Sequence, residues 1–252
     1  MIYIPNTPRS FLDLLGISIK HHYAILKKTI LLMLMIVVVK DWYVYLGGFP
    51  KNDALKFIVS TFMLIALIYL FMSLLYMAQR ILHSEPVTLM DAFKATNQRL
   101  FHIYTASFIF IVVPTLFVLL AEFVFHLIMR GHSGSTKFSG LIFVFVVGIP
   151  ILYAYLRYFY TLPLIAMENF SLWKAFAEAQ QLVQGNWARV FGIYACAIVI
   201  WVLVSPDTLH GHFMRMYHIS GIFDFIVFCV TLPIMMNLIV FMRNDLRLRN
   251  AL

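Results

Sequence analysis

Six long apolar runs alternate along the chain with polar segments, some of which repeat apolar residues every three or four positions. The runs cover roughly residues 25–46, 57–80, 103–129, 138–166, 189–205 and 222–242. Each is close to the roughly 20 residues needed to cross a hydrocarbon core. Lys40 and Asp41 interrupt the first run, but WYVYLGG follows them, an aromatic end suited to the headgroup region. Three of the connections are turns: GGFPKND, RGHSGSTK and the longer PDTLHGHFMRMYHISG. The remaining polar segments predict amphipathic helices, each preceding an odd-numbered span. They begin SFLDLL at Ser10, TLMDAF at Thr88 and SLWKAF at Ser171.

Each of these starts has a Ser or Thr able to cap a helix. Asp13 and Asp91 stand where a capping box places its acid, whereas Lys174 takes that position in the third. The starts lie about 80 residues apart, which suggests three helix-plus-hairpin repeats over 8–82, 86–167 and 169–249. Six spans of independent origin would give the same count, and both readings stand. Either way each unit crosses twice, so the three amphipathic helices share one membrane face.

The most informative of the polar segments is ENFSLWKAFAEAQQLVQGNWARV, Glu168 to Val190. At 100° per residue, Leu172, Phe176, Ala179, Leu182 and Val183 fall on one face, and Lys174, Glu178, Gln181 and Gln184 fall elsewhere. Gly185 can take the left-handed conformation that ends a helix, and Trp187 opens the next segment at interface depth. Such a helix is expected to lie in the headgroup layer or beneath the bundle. It serves either as an element that turns the chain around or as part of a lipid-sensing or partner-docking collar.

Composition agrees with a membrane protein: 62% of the 252 residues are hydrophobic, 12% are charged, and mean hydropathy is +0.88. Soluble domains have about twice that charge fraction. The fold class expected is therefore an all-α integral membrane protein, a single polytopic domain over 1–252 with six transmembrane helices and three cytoplasmic interfacial helices. The first sixteen residues lack a basic start and a cleavage pattern, so the first span is expected to do the targeting. Twelve Lys and Arg lie on the side of the amphipathic helices and six on the other, counting outside Arg157. That asymmetry assigns the helices and both termini to the cytoplasm. The net charge of +8 follows the membrane face and calls for no nucleic acid. Cys196 and Cys229 lie inside apolar runs and are expected to be packing residues.

The run Arg157, Pro163, Glu168, Ala175, Ala179, Leu182, Gly185, Asn186, Trp187 and Arg189 resembles a pattern of bacterial six-span inner-membrane proteins. These are the YciC type and the related membrane domain of glycerophosphoryl diester phosphodiesterases. In that pattern a span ends with a proline and an acidic residue, and an amphipathic helix and a new span follow. The likeness is best over roughly 85–205. It implies a six-span fold in the bacterial inner membrane and no defined activity, and no counterpart of the fused relatives' catalytic domain is expected.

Ionisable groups inside a bilayer are costly and become candidates for function. Glu122 and His126 lie one turn apart in the third run, Arg157 in the fourth, and Asp224 opens the sixth. Glu122 and His126 lie in the outer half and Arg157 in the inner half, so a direct pair would require a vertical shift of the helices. Arg157 can instead snorkel to the headgroups or meet a lipid phosphate. His126, His132, His210, His212 and His218, with Asp207, form an outer histidine group. HGH has the wrong spacing for an i, i+4 metal pair, so no metal site and no cofactor are expected. Pro114, Pro150, Pro163 and Pro233 can each kink a span, and Gly148 beside Pro150 makes the fourth the one expected to break. Asn237 is expected to hydrogen-bond across a helix interface.

Three functions are compatible with this pattern. The first is a non-enzymatic component that handles lipids or anchors an envelope assembly. Its binding residues would be Arg157, Glu168, Lys94, Arg99, Lys174, Trp187 and Arg189, and its partners phospholipids or an envelope protein. The second is a small-solute or ion transporter using Glu122, His126 and Arg157. The third, an enzyme acting on lipid headgroups, is the weakest, because no acid, base and nucleophile converge and no catalytic residue can be named. The oligomeric state is open.

Overall fold

The computed structural model describes residues 7–47, 53–129, 144–204 and 220–251, with the side chains of 40–57, 125–144 and 197–229 outside the description. Every described element is helical. In chain order these are α1 (Phe11–Gly47), α2 (Asp53–Leu82), α3 (Leu89–Gln98), α4 (Leu100–Met129), α5 (Ile149–Arg157), α6 (Thr161–Glu168), α7 (Leu172–Val183), α8 (Trp187–Val204) and α9 (Ser220–Asn250). A π turn over Val144–Gly148 leads into α5.

Four helical stretches among the described residues are long and apolar enough to cross a membrane: Phe11–Val39, Ile58–Leu82, Leu100–Val124 and Phe145–Glu168. The protein is thus a helical membrane-type chain. α8 and α9 run through the fifth and sixth expected segments.

The caps follow the local sequence. Thr88 Oγ1 accepts from the Asp91 amide at 3.2 Å, and Asp91 Oδ2 accepts from the Thr88 amide at 3.0 Å. Ser10 and Asp13 repeat this exchange at the start of α1, at 3.1 and 3.3 Å. Ser171, with Lys174 in place of the acid, starts α7 without a side-chain cap bond. The first amphipathic segment differs from expectation in one respect: it is continuous with the span that follows. α1 runs for 37 residues, about 55 Å at 1.5 Å per residue.

The fourth run is broken, but beyond the expected place. Gly148 and Pro150 stay helical, and the chain turns at Tyr158–Tyr160 before α6. This puts Pro163 third in α6, within the first turn, where its missing amide costs no intrahelical bond. Asn169 then ends α6 in the left-handed conformation, φ 58°, which Asn tolerates better than most residues.

α1 packs along α9 and α2, and α2 also meets α3, α6 and α9. Leu14, Ile25, Leu32 and Ile36 of α1 meet Leu74, Met77 and Leu82 of α2 and Leu238, Phe241 and Leu246 of α9 in one buried core. At α1–α9, Asn237 Nδ2 donates to the Ser18 carbonyl at 3.1 Å with both residues fully enclosed, the interhelical bond expected of Asn237. The outer faces of α1 and α4 expose large apolar side chains, among them Leu31, Leu116, Leu120 and Phe123. A continuous apolar exterior of this type belongs in contact with lipid.

Candidate functional site: the polar end of the bundle

α3 and α7 both dock through small residues. Ala92 and Ala95 of α3 are buried, with Ser73 of α2 donating to Thr96 at 3.0 Å. Ala175 and Ala179 of α7 are fully buried, with Leu172, Leu182 and Val183 on the same side. Four of the five residues expected on the inward face are buried; Phe176 is only partly covered, and Ala175, not among those five, joins the face. Alanines let a short helix approach its neighbours closely and leave its polar face outward. Gly185, at φ 76°, takes the left-handed turn expected after α7.

The end of α9 gathers this part of the molecule through two carboxylates. Asp245 is almost fully buried and accepts from the Arg9 amide at 2.6 Å, Arg189 Nη1 at 2.8 Å and Arg249 Nε at 2.8 Å. Arg189 and Arg249 each donate as well to the Arg9 carbonyl at 2.8 Å. Glu168, at the end of α6, stands 2.5 Å from Arg243 Nη2 and 2.6 Å from Arg247 Nη2. Asn250 Nδ2 adds a bond to the Gln181 carbonyl at 2.8 Å. The N-terminal segment, the α6–α7 corner, the start of α8 and the end of α9 therefore meet at one end of the bundle.

The corner between α3 and α4 joins them. Arg99 Nε donates to Asn169 Oδ1 at 3.1 Å, Arg99 Nη1 donates to the Ala166 carbonyl, and the guanidinium lies 5.2 Å from the Tyr76 ring. Arg80 pairs with Glu85 and faces the same ring from 5.3 Å. Burial pulls the Arg99 guanidinium below its ordinary value, and Tyr76 partly offsets this. Arg243 is lowered by burial in the same way and raised again by Glu168. His83 is held below the ordinary imidazole value by desolvation first and by the charge of Arg243 next.

A groove of about 240 Å³ opens between α5, α7 and the start of α8, lined by Tyr153, Leu156, Arg157, Gln180, Val183, Gln184, Gly185 and Trp187. Arg157 is half-buried, with its guanidinium 6.0 Å from the Tyr153 ring and 5.9 Å from the Tyr158 ring. Among the described residues no hydrogen bond or ion pair joins it. A second groove of about 350 Å³, beside α3, is lined by Tyr76, Arg80, Asp91, Lys94 and Gln98 among others.

The sequence candidates thus separate. Glu168, Arg189 and Arg99 are engaged inside the protein. Lys94 and Lys174 are exposed, Lys174 with its Nζ 4.3 Å from the Phe170 ring. Arg157 and Trp187 share a groove. Glu122 is exposed on the outer face of α4 and has no partner among the described residues. His126 and Asp224 fall in α4 and α9, but their side chains lie outside the described residues, as do His132, Asp207, His210, His212 and His218. Among the described residues no three metal-ligating side chains cluster.

Sequence reasoning passed over Asp245, Arg243 and the Arg9 backbone. The signal lay in RNDLRLR, where Arg243 and Arg247, and Asp245 and Arg249, are spaced to share helix faces.

No family model matches the chain, and neither the curated proteins nor the solved structures include a match to it.

Proposed function

We propose that this chain is a non-enzymatic component of the bacterial inner membrane that handles phospholipids at the polar end of its bundle. In this reading α8 and α9 complete six spans, and the polar end with both termini lies in the cytoplasm, as the Lys and Arg asymmetry favours. Kinship with the YciC type is part of the same proposal and rests on the residues from Arg157 to Arg189.

The observation that carries it is the division of cations at this end. Six arginines bond to carboxylates or carbonyls of the protein. Lys94, Lys174 and Arg157 have no carboxylate bonded to them among the described residues; exposed Met90 and Trp173 stand on the same helices as the two lysines, and exposed Trp187 shares the groove of Arg157. Unpaired cations among outward indoles and aliphatics suit the anionic cytoplasmic leaflet.

The test is native mass spectrometry of the protein extracted gently with its lipids and neighbours. A retained phospholipid supports lipid handling. A stoichiometric protein partner without ordered lipid makes the chain an envelope anchor docking through this end. Protein that flies alone and bare returns weight to transport.

A further inference from the structure

We propose that the groove between α5, α7 and α8 holds the phosphodiester of a membrane glycerophospholipid, with Arg157 as its cation. This rests on the lipid-handling reading and assigns that function to one place.

Three features select the ligand. The groove's charge is one-sided: Arg157 lines it, Gln180 and Gln184 bring amide donors, and no Asp or Glu is among the lining residues. A guanidinium can offer two parallel donors to a phosphate, the geometry in which arginine exceeds a simple point charge. The Tyr153 and Tyr158 rings face this guanidinium without using its N–H groups in any hydrogen bond, so those donors remain for a ligand.

The second feature is size. About 240 Å³ equals roughly eight water volumes at about 30 Å³ each, room for a phosphodiester with part of its glycerol rather than a lone small ion.

The third is what lies beside the opening. Tyr153 and Trp187 stand more than half exposed at its edge, and Ile149, Leu152 and Phe191 continue an exposed apolar track along α5 and α8. A polar pocket at the end of an apolar track fits an amphiphile whose chains remain in the bilayer. Arg157 closes α5, where the candidate span Phe145–Glu168 is interrupted by the turn at Tyr158–Tyr160, and its long side chain can carry the charge toward the headgroups.

The experiment titrates the full chain, stripped of lipid in mild detergent, with palmitoyl-oleoyl phosphatidylglycerol and counts bound lipid by native mass spectrometry. Wild type is expected to hold one phosphatidylglycerol. Arg157→Gln should weaken that binding roughly tenfold or more, the scale of losing a charge-assisted contact. The pair Gln180→Ala with Gln184→Ala should weaken it less, and Lys20→Gln, on an exposed cation of α1, should leave it unchanged. Thermal melting checks that each variant folds; should Arg157→Gln not fold, the Gln180 and Gln184 pair decides.

Inorganic phosphate at millimolar concentration and oleate are the competitors, and neither should displace the lipid. Displacement by phosphate alone would make this a soluble-anion site and overturn the lipid assignment. Displacement by oleate would overturn the phosphodiester. Equal binding by wild type and both groove variants would overturn this site while leaving lipid handling in place. No retained phospholipid in wild type, in this titration and in gently extracted material, would sink the broader reading itself.

Discussion

The Tyr155 hydroxyl donates to the Phe110 carbonyl at 2.7 Å, the oxygen that Pro114 leaves without an amide four residues on. A proline inside a membrane helix frees such a carbonyl where no water can reach it, and a neighbouring helix must supply the donor. Stacking of Phe110 on Tyr155, with centroids 6.0 Å apart, fixes the approach. Tyr155→Phe should therefore destabilise the bundle by about 0.6–1.7 kcal/mol, the range of polar helix contacts in membranes. In a Pro114→Ala background, where the amide returns, the same substitution should cost much less. Thermal melting of the four-member cycle in detergent measures the difference. Equal costs in both backgrounds would dissociate the tyrosine from the proline.

Asp245 should be the most sensitive polar residue at this end of the protein. Its carboxylate is 2% exposed and balances Arg189 and Arg249 while taking the Arg9 amide. Removing one member of a buried pair leaves the others uncompensated, a loss of about 3–5 kcal/mol. Asp245→Ala should reach that range and expose the N-terminal segment to limited proteolysis around Arg9. Lys174→Ala, on an exposed side chain, should change neither melting nor cleavage. An Asp245→Ala protein with wild-type melting and proteolysis would show the cluster to be energetically idle.

What could be read in advance was local, and what could not was long-range. The inward face of α7, its glycine stop and the two capping boxes need only residues within four positions of each other. Asn237 was legible because a lone amide in an apolar run has few ways to be satisfied. The partners of Glu168 and Arg189 were not, because Arg243, Asp245 and Arg247 lie 56 to 79 positions away. Counting cations gave only an expected membrane face, and it could not separate arginines turned inward from Arg157. Nor did the capping pattern at Ser10 say whether that helix would stop before the span.

The capping box of α3 predicts a local pH response at the start of that helix. Hydrogen bonds from Thr88 hold the Asp91 carboxyl below its ordinary 3.8. A carboxyl lowered in the folded state contributes stability that is present above its unfolded value and lost as pH falls through the folded one. Backbone amides at the start of α3 should thus keep their protection down to about pH 4 and lose it below. Thr88→Ala should speed their hydrogen exchange roughly fivefold at neutral pH. Ser171→Ala should leave α7 nearly unchanged, since that hydroxyl makes no cap bond. Equal effects at the two helices would remove the distinction between Asp91 and Lys174.

Gly185 tests the corner that sets the groove. Its φ of 76° lies in the left-handed region, and a Cβ added there would meet no heavy atom within 4 Å. The cost of Gly185→Ala is then conformational rather than steric, about 1–2 kcal/mol. Gly185→Asn should cost less, because Asn tolerates that conformation. Because Gly185 lies between Gln184 and Trp187 on the groove wall, the alanine variant should also weaken phosphatidylglycerol binding, and the asparagine variant should recover part of it. Melting and lipid titration of the two variants give both readouts. Should asparagine cost as much as alanine, the left-handed turn would not be the reason for glycine here.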